Sequence, residues 1–302
     1  MNPVREQFHG IISALLTPMD SGTGLNTDAV YPLIKLQLEM GMNGFFVGGS
    51  AGEVFLLDPD ERFRLYKAAS DAVHTFSKDN RNVSLIAHVG DFSTEKACRY
   101  ASACREYGYD AVCSVLPFYF PCTLEQHRAY LRAIHDASGL PVFLYYIPMY
   151  NHVELSSEQL ISLLSEDHIC GIKFTNHDYG IFEKLRRTFL DKVMLNGLDH
   201  TFLCGLAMGA DGAVGSHFNV IGNLFLLMES AYSRGDWAEA YQIQQKANVL
   251  IEFMNSYGDS KGAMKYILSS IKGIPMGECR LPGQAVPDHW KREFHQKYAD
   301  CF

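Results

Sequence analysis

Short, almost unbroken apolar runs alternate along the chain with longer stretches of helical spacing. The runs lie at 10–16, 44–49, 83–90, 111–117, 141–148, 170–176, 193–199 and 212–219. Each is rich in β-branched or aromatic residues and bounded by Gly, Pro, Asn or Asp, the pattern of a strand buried on both faces. Between them lie amphipathic helices. Asn26-Thr27-Asp28 opens one that runs through Met40 and ends at Gly41. Asp58-Pro59-Asp60-Glu61 opens another, with Asp58 as cap, Pro59 at the first helical position and Glu61 completing a capping box. A buried strand followed by a helix, eight times over, predicts an α/β fold, a (β/α)8 TIM barrel over residues 1–220. An open doubly wound sheet is the structural rival, but the sequence carries no nucleotide fingerprint. Beyond the eighth unit the strands stop. Residues 221–302 read as the last barrel helix and a C-terminal helical extension, with helices over 237–257, 261–271 and 287–298. No linker rich in Pro, Gly or Ser sets this part apart, so it is expected to pack on the barrel.

Composition narrows the function. With 47% hydrophobic and 20% charged residues, the 302-residue chain has ample apolar surface for a large core. A net charge of -8 and the lack of any basic stripe argue against nucleic acid as a partner. The first ten residues lack a leader pattern, and no run of 18 apolar residues is present; both point to the cytoplasm and away from a membrane. The eight cysteines form no C-x-x-C pair, and Cys113 and Cys170 stand in apolar runs as small hydrophobes. Neither structural zinc nor a disulfide framework is expected.

In a barrel of this kind the chemistry gathers at the C-terminal ends of the strands. The sixth run, Cys170-Gly171-Ile172-Lys173-Phe174-Thr175-Asn176, carries one amine. Apolar surroundings disfavour the ammonium form of an amine, and a free amine can form a Schiff base with a carbonyl. The alternative is a lysine whose stem packs on the sheet while its head reaches water. Gly48-Gly49-Ser50-Ala51-Gly52-Glu53 ends the second run, and its successive N–H groups can hold a carboxylate. Tyrosines end the fourth and fifth runs; a hydroxyl facing the same cavity as a Schiff-base lysine can move protons. The seventh and eighth runs end in Asn196-Gly197-Leu198-Asp199-His200 and Gly215-Ser216-His217-Phe218-Asn219, small and polar groups that suit a polyhydroxylated ligand. No Arg or Lys stands in either segment, which weakens a sugar-phosphate reading.

Together GGSAGE at 48–53, LIAHVG at 85–90, PFYFP at 117–121, YYIP at 145–148, GIKFT at 171–175, NGLDH at 196–200 and GADGAVGSHFN at 209–219 resemble the N-acetylneuraminate lyase/dihydrodipicolinate synthase superfamily, over nearly the whole chain. IAHVG and PFYFP lean towards the sialic acid lyase branch. The resemblance implies a class I aldolase that cleaves N-acetylneuraminate or a related 2-oxo-3-deoxy sugar acid to pyruvate and an aldehyde. It needs no cofactor beyond the covalent Schiff base, here through Lys173. Tyr145 then matches the proton-shuttling tyrosine, and Ser50 with the backbone of Ala51 matches the carboxylate-binding pair. Tyr119 matches a tyrosine that enters the neighbouring subunit's site, implying at least a dimer and, by the family's habit, a homotetramer. Thr175, Gly197, Asp199 and Ser216 fall on positions that line the sugar-chain pocket, and His200 stands beside them.

This chain departs from the family's pattern at several of these positions. Ala51 stands where Thr is usual, removing a hydroxyl donor worth about 1.5–3 kcal/mol to a charged group. Tyr146 replaces an Asn, His200 a Glu and Leu198 a common Tyr, so the preferred sugar tail is open. Tyr150 occupies the place of the arginine clamp of dihydrodipicolinate synthase, which speaks against that activity. Three other readings remain: another pyruvate-dependent aldolase of the superfamily, a divalent-metal site built from His88, His200 and His217, and a barrel that binds a sugar acid without turning it over.

Overall fold

The structure, a computed structural model, describes residues 3–77 and 83–302; residues 1 and 2 of the N-terminal decapeptide lie outside it. Eight strands form the barrel: β1 (Gly10–Ala14), β2 (Gly44–Val47), β3 (Ser84–His88), β4 (Ala111–Val115), β5 (Val142–Tyr146), β6 (Ile169–Phe174), β7 (Val193–Asn196) and β8 (Gly212–Gly215). They pair in sequence order, all parallel, and β8 returns to β1. Every strand residue is buried. That is why the runs read as continuously apolar: side chains alternate between the barrel interior and the helix layer, and neither face meets water.

Inside lie Ile12, Phe46, Ile86, Cys113, Phe143, Leu195 and Val214, with Phe8 set edge-on against Phe143 at the N-terminal end. Outside, Val47, Leu85, Val112, Leu144, Ile172 and Phe174 meet the helices. Burial pushes the Cys113 and Cys170 thiols well up, so they stay neutral and pack as small hydrophobes. The closing seam is tight, since a Cβ at Gly212 would lie 2.1 Å from the Gly10 carbonyl oxygen. Above it the fully buried Asn219 donates to the carbonyls of Ala14 and Ser216 and accepts from the Leu16 amide and Gln37. One side chain thus ties β1, β8 and the helix Thr27–Met40 together.

Helix starts follow the sequence. Asn26 caps Thr27–Met40 and Gly41 ends it at φ 108°, while Asp58 and Glu61 form the full capping box of Pro59–Phe76. Strand ends are shorter than the apolar runs. The run at 212–219 leaves the sheet after Gly215, and the helix Phe218–Ser233 has already begun. Phe218 is apolar because the helix buries it, and a short apolar run carries no mark of where it bends.

Beyond β8 the helices Trp237–Asn255 and Ser260–Lys272 appear as read from the sequence. The expected helix over 287–298 is an α-helix only at Asp288–Glu293; one wider π turn covers Phe294–Tyr298. Trp290 anchors it, stacked on Phe253 with ring centres 4.5 Å apart and donating its indole N–H to the Phe253 carbonyl at 3.0 Å. Arg280, on the segment between, grips Glu61 with both guanidinium nitrogens and also donates to the carbonyls of Leu56 and Thr23. The bonds from Arg280 outweigh partial burial and hold the Glu61 carboxyl down to about 2.

Because the folded Glu61 carboxyl is depressed, its contribution is complete above the unfolded value of 4.5 and is lost as pH falls through about 2. Arg280→Ala is therefore expected to lower stability by about 1.5–3 kcal/mol at neutral pH. In paired denaturant melts, the gap between variant and wild type should narrow as pH falls from 4.5 through about 2, leaving the part carried by the bonds to the Leu56 and Thr23 carbonyls.

Candidate active site

Alternation within β6 sends Ile172 and Phe174 to the helix layer and Lys173 into the barrel. The register sets Lys173 opposite Tyr145 of β5. The lysine is 5% exposed, and its Nζ stands 4.1 Å from the Tyr145 ring centre and 4.3 Å from that of Phe46. Nζ makes no ion pair among the described residues; it lies over the two aromatic faces and opens to the cavity, whose wall also carries Asp199.

The floor is fixed by His88. Its Nδ1 lies 3.0 Å from the Gly48 carbonyl, and its Nε2 accepts from the Val115 amide at 3.3 Å. Burial, then the charges of Arg62 and Lys173, push this imidazole down to about 3. It is a neutral brace between the ends of β2 and β4. The turn it supports begins at Gly48, where φ is +74° and a Cβ would meet the Tyr66 ring at 2.9 Å. Gly52 and Glu53 close the turn on Gly49 and Ser50. The amides of Ser50 and Ala51 donate to no other group among the described residues and stay free towards the cavity.

Glu53 holds this turn from behind. It sits in the left-handed region, φ 56° and ψ 30°, uncommon for a residue with a side chain. Its buried carboxylate takes Lys265 Nζ at 2.5 Å on one oxygen and the Arg280 amide at 2.8 Å on the other. Lys265 is fully buried and also donates to the Glu278 carbonyl. The pair joins partners 212 positions apart, which no local pattern could reveal.

The far wall comes from the ends of β6, β7 and β8. Thr175 Oγ1 is buried without a partner among the described residues. Gly197 leaves it room, since a Cβ there would stand 2.0 Å from that oxygen. Asp199 turns its Oδ2 to the 216–217 segment, accepting from the His217 amide at 2.9 Å and lying 2.6 Å from His217 Nδ1 and 3.4 Å from Ser216 Oγ. Burial would raise this carboxyl, but the hydrogen bonds from His217 outweigh it and hold it below its ordinary value.

Ser50, Ala51, Tyr145, Lys173, Thr175, Gly197, Asp199, His200 and Ser216 all line one cavity of about 360 Å³. Tyr119 does not: it is 74% exposed on the loop after β4, its ring 6.1 Å from Phe92. Sequence reasoning gave the C-terminal helices no part in the site, yet Ile251, Asn255, Ser260 and Lys261 close the cavity mouth. The break at Gly258-Asp259, with Asp259 capping the next helix, was the visible signal. Tyr146 points the other way, bonding Leu155 in the helix layer, so its departure from the family pattern lies outside the cavity. The three histidines weighed as metal ligands do not assemble. His88 has both nitrogens engaged, His217 is bound to Asp199, and His200 lies against His177. No group of three or more His, Cys, Asp or Glu converges on an ion site among the described residues.

The model of the dihydrodipicolinate synthetase family matches residues 7–299. The chain belongs to this family. Among curated relatives, the N-acetylneuraminate lyase of Citrobacter koseri is 34% identical over 95% of both chains, and that of Salmonella typhimurium 34% identical over 94% of this chain and 93% of its own. Among solved structures, CdNal of Clostridium difficile, determined with mannosamine, superposes with a TM-score of 0.92 at 31% identity, covering 98% of this chain and 99% of that one. The Fusobacterium nucleatum N-acetylneuraminate lyase complexed with pyruvate gives 0.88 at 30% identity over 97% of each chain. The expected superfamily and the closed barrel are thus both met, and this member of the dihydrodipicolinate synthetase family holds an unpaired lysine, two unengaged amides and an unpartnered tyrosine hydroxyl at one end of the barrel.

Lys265→Ala strands the buried Glu53 carboxylate and is expected to cost about 3–5 kcal/mol, whereas the double change Glu53→Gln/Lys265→Met recovers much of that. Urea denaturation of the two variants checks the difference, and hydrogen exchange should show the bonded amides of Gly52 and Glu53 loosened in the single variant.

Proposed function

We propose that this chain is a class I aldolase that cleaves N-acetylneuraminate, or a related 2-oxo-3-deoxy sugar acid, to pyruvate and an aldehyde. The observation that carries the reading is one juxtaposition. An unpaired Lys173 amine and a Tyr145 hydroxyl without a protein partner share a cavity with the unengaged amides of Ser50 and Ala51. The substrate carboxylate takes those amides and the Ser50 hydroxyl. Its ketone carbon is attacked by Lys173 Nζ, and the adduct loses water to give a protonated imine. The C4 hydroxyl gives up its proton through Tyr145 as the C3–C4 electron pair moves into the imine, and the aldehyde departs. Protonation of the resulting enamine at C3 and addition of water to the imine return pyruvate and the free lysine.

The wall beyond Lys173, with Thr175, Asp199, Ser216, His217 and Asn255, suits a chain of hydroxyl groups. Among the described residues no arginine lines it, and Lys261 is engaged by Asp259 at 3.0 Å. A second anionic group on the substrate therefore finds no free guanidinium. No cofactor enters these steps.

Phe55, Phe92, Phe118, Tyr119 and Phe120 form a run of touching rings, largely exposed, that leads outward from the rim. Such a patch is what a second copy would cover, and it supports Tyr119 serving a neighbouring site in a homotetramer. No helix among the described residues is long and apolar enough to cross a membrane, and a cytoplasmic enzyme fits the sugar-acid reading.

Borohydride added with pyruvate is expected to fix a three-carbon adduct on Lys173, read by peptide mass spectrometry and absent in Lys173→Ala. Tyr145→Phe should still trap pyruvate while cleavage falls by about 10²–10⁴-fold. No adduct in the wild type would overturn the reading. Light scattering on the eluted protein should give four copies, and Tyr119→Ala should lower turnover while leaving pyruvate trapping in place.

A further inference from the structure

We propose that His217 is a specificity-determining residue of this chain, whose Nε2 accepts a hydrogen bond from a hydroxyl of the substrate's tail, and that Asp199 acts through it as a positioning residue. The inference rests on the aldolase reading above and goes beyond it by naming the group that recognises the tail. Its geometry is unusual for a histidine at a cavity wall. His217 is 7% exposed, lines the cavity, and has one nitrogen fixed and one unused. Asp199 Oδ2 lies 2.6 Å from Nδ1 and also accepts the His217 backbone N–H at 2.9 Å. A carboxylate only accepts, so Nδ1 carries a proton, and the imidazole tautomer this selects has its lone pair on Nε2. That Nε2 is buried with no partner among the described residues.

A second orphan stands on the same wall. Thr175 Oγ1 is also buried, lines the cavity and lacks a partner among the described residues. Buried polar atoms are rarely left unpaired, and two on one cavity wall await partners from the ligand. An imidazole acceptor and a hydroxyl that both donates and accepts are complementary to sugar hydroxyls, which do the same. An apolar or short aldehyde would leave both unmet.

Asp199, meanwhile, has its Oδ2 taken up by the 216–217 segment. Its other oxygen lies over Gly215, where a Cβ would come within 2.4 Å of Oδ1, so the glycine leaves this oxygen its room at the cavity wall. Oδ2 therefore serves to set the ring.

The test uses the full-length enzyme and the aldol direction, with pyruvate and either N-acetylmannosamine or propanal as acceptor. Variants are His217→Asn, which keeps a donor near the Nδ1 position and removes Nε2, Asp199→Asn, and the double change. Pyruvate trapping on Lys173 is measured in each, and its failure in the wild type would sink the aldolase reading and this proposal together. With trapping intact, His217→Asn is expected to raise KM for N-acetylmannosamine about fivefold to tenfold while KM for propanal and the trapping rate stay put. The double variant should be no worse than the poorer single one, because both act through one contact. The proposal is overturned if His217→Asn leaves the preference for the hydroxylated acceptor unchanged, if the wild type shows no such preference, or if the two single effects multiply.

Discussion

Closure of the sheet is the constraint from which the other features follow. Pairing β8 with β1 leaves no strand edge, so each of the eight strands is paired on both sides. A closed barrel in turn splits each strand's side chains between an interior and a helix layer, and this parity places Lys173 and Tyr145 at the same level inside. Neither residue needs a special loop to reach the other. Shifting β6 by one residue would turn Lys173 into the helix layer and Phe174 into the cavity. The chemistry is therefore as secure as the register, and the register is held by Ile172 and Phe174, fully buried on the other face.

The parts legible in the sequence were those written in local pattern. Eight buried runs, the capping box at Asp58 and the glycine stop at Gly41 gave the barrel and its helices, because period and end signals sit within a few residues of one another. The strand-end residues were legible for a related reason: a parallel barrel delivers all its C-terminal ends to one face, so naming them already names the cavity. What escaped was long in sequence. Lys261 and Asn255 come from helices beyond the last strand and lie over the mouth only once the extension has packed. The orientation of His217 was likewise unreadable, because it depends on a carboxylate in another strand's loop. As a bare letter it suited a polyhydroxylated ligand, with a metal ligand as the lesser alternative, and showed nothing of which nitrogen faces the cavity.

The C-terminal helices thus do more than cover the barrel. Through Lys265 and the Arg280 backbone they grip Glu53, and through the Arg280 side chain they grip Glu61, one on either side of the same β2-to-helix connection. The turn that presents the free amides of Ser50 and Ala51 is held in a conformation disfavoured for glutamate by groups more than two hundred residues away. Local strain at one end of the barrel is offset by packing at the end of the chain.

The close approach of Gly197 to Thr175 carries a lesson for anyone who would reshape this pocket. With a Cβ at 197 falling 2.0 Å from the threonine oxygen, the two positions form one unit of shape shared between adjacent strand ends. Any side chain at 197 is blocked while Thr175 remains, and serine at 175 would keep the same oxygen. A library that varies one position at a time would therefore miss this corner of sequence space; a side chain at 197 needs 175 to lose its hydroxyl in the same step and the strand end to give slightly, since the Phe174 carbonyl would still stand 3.0 Å from the new Cβ.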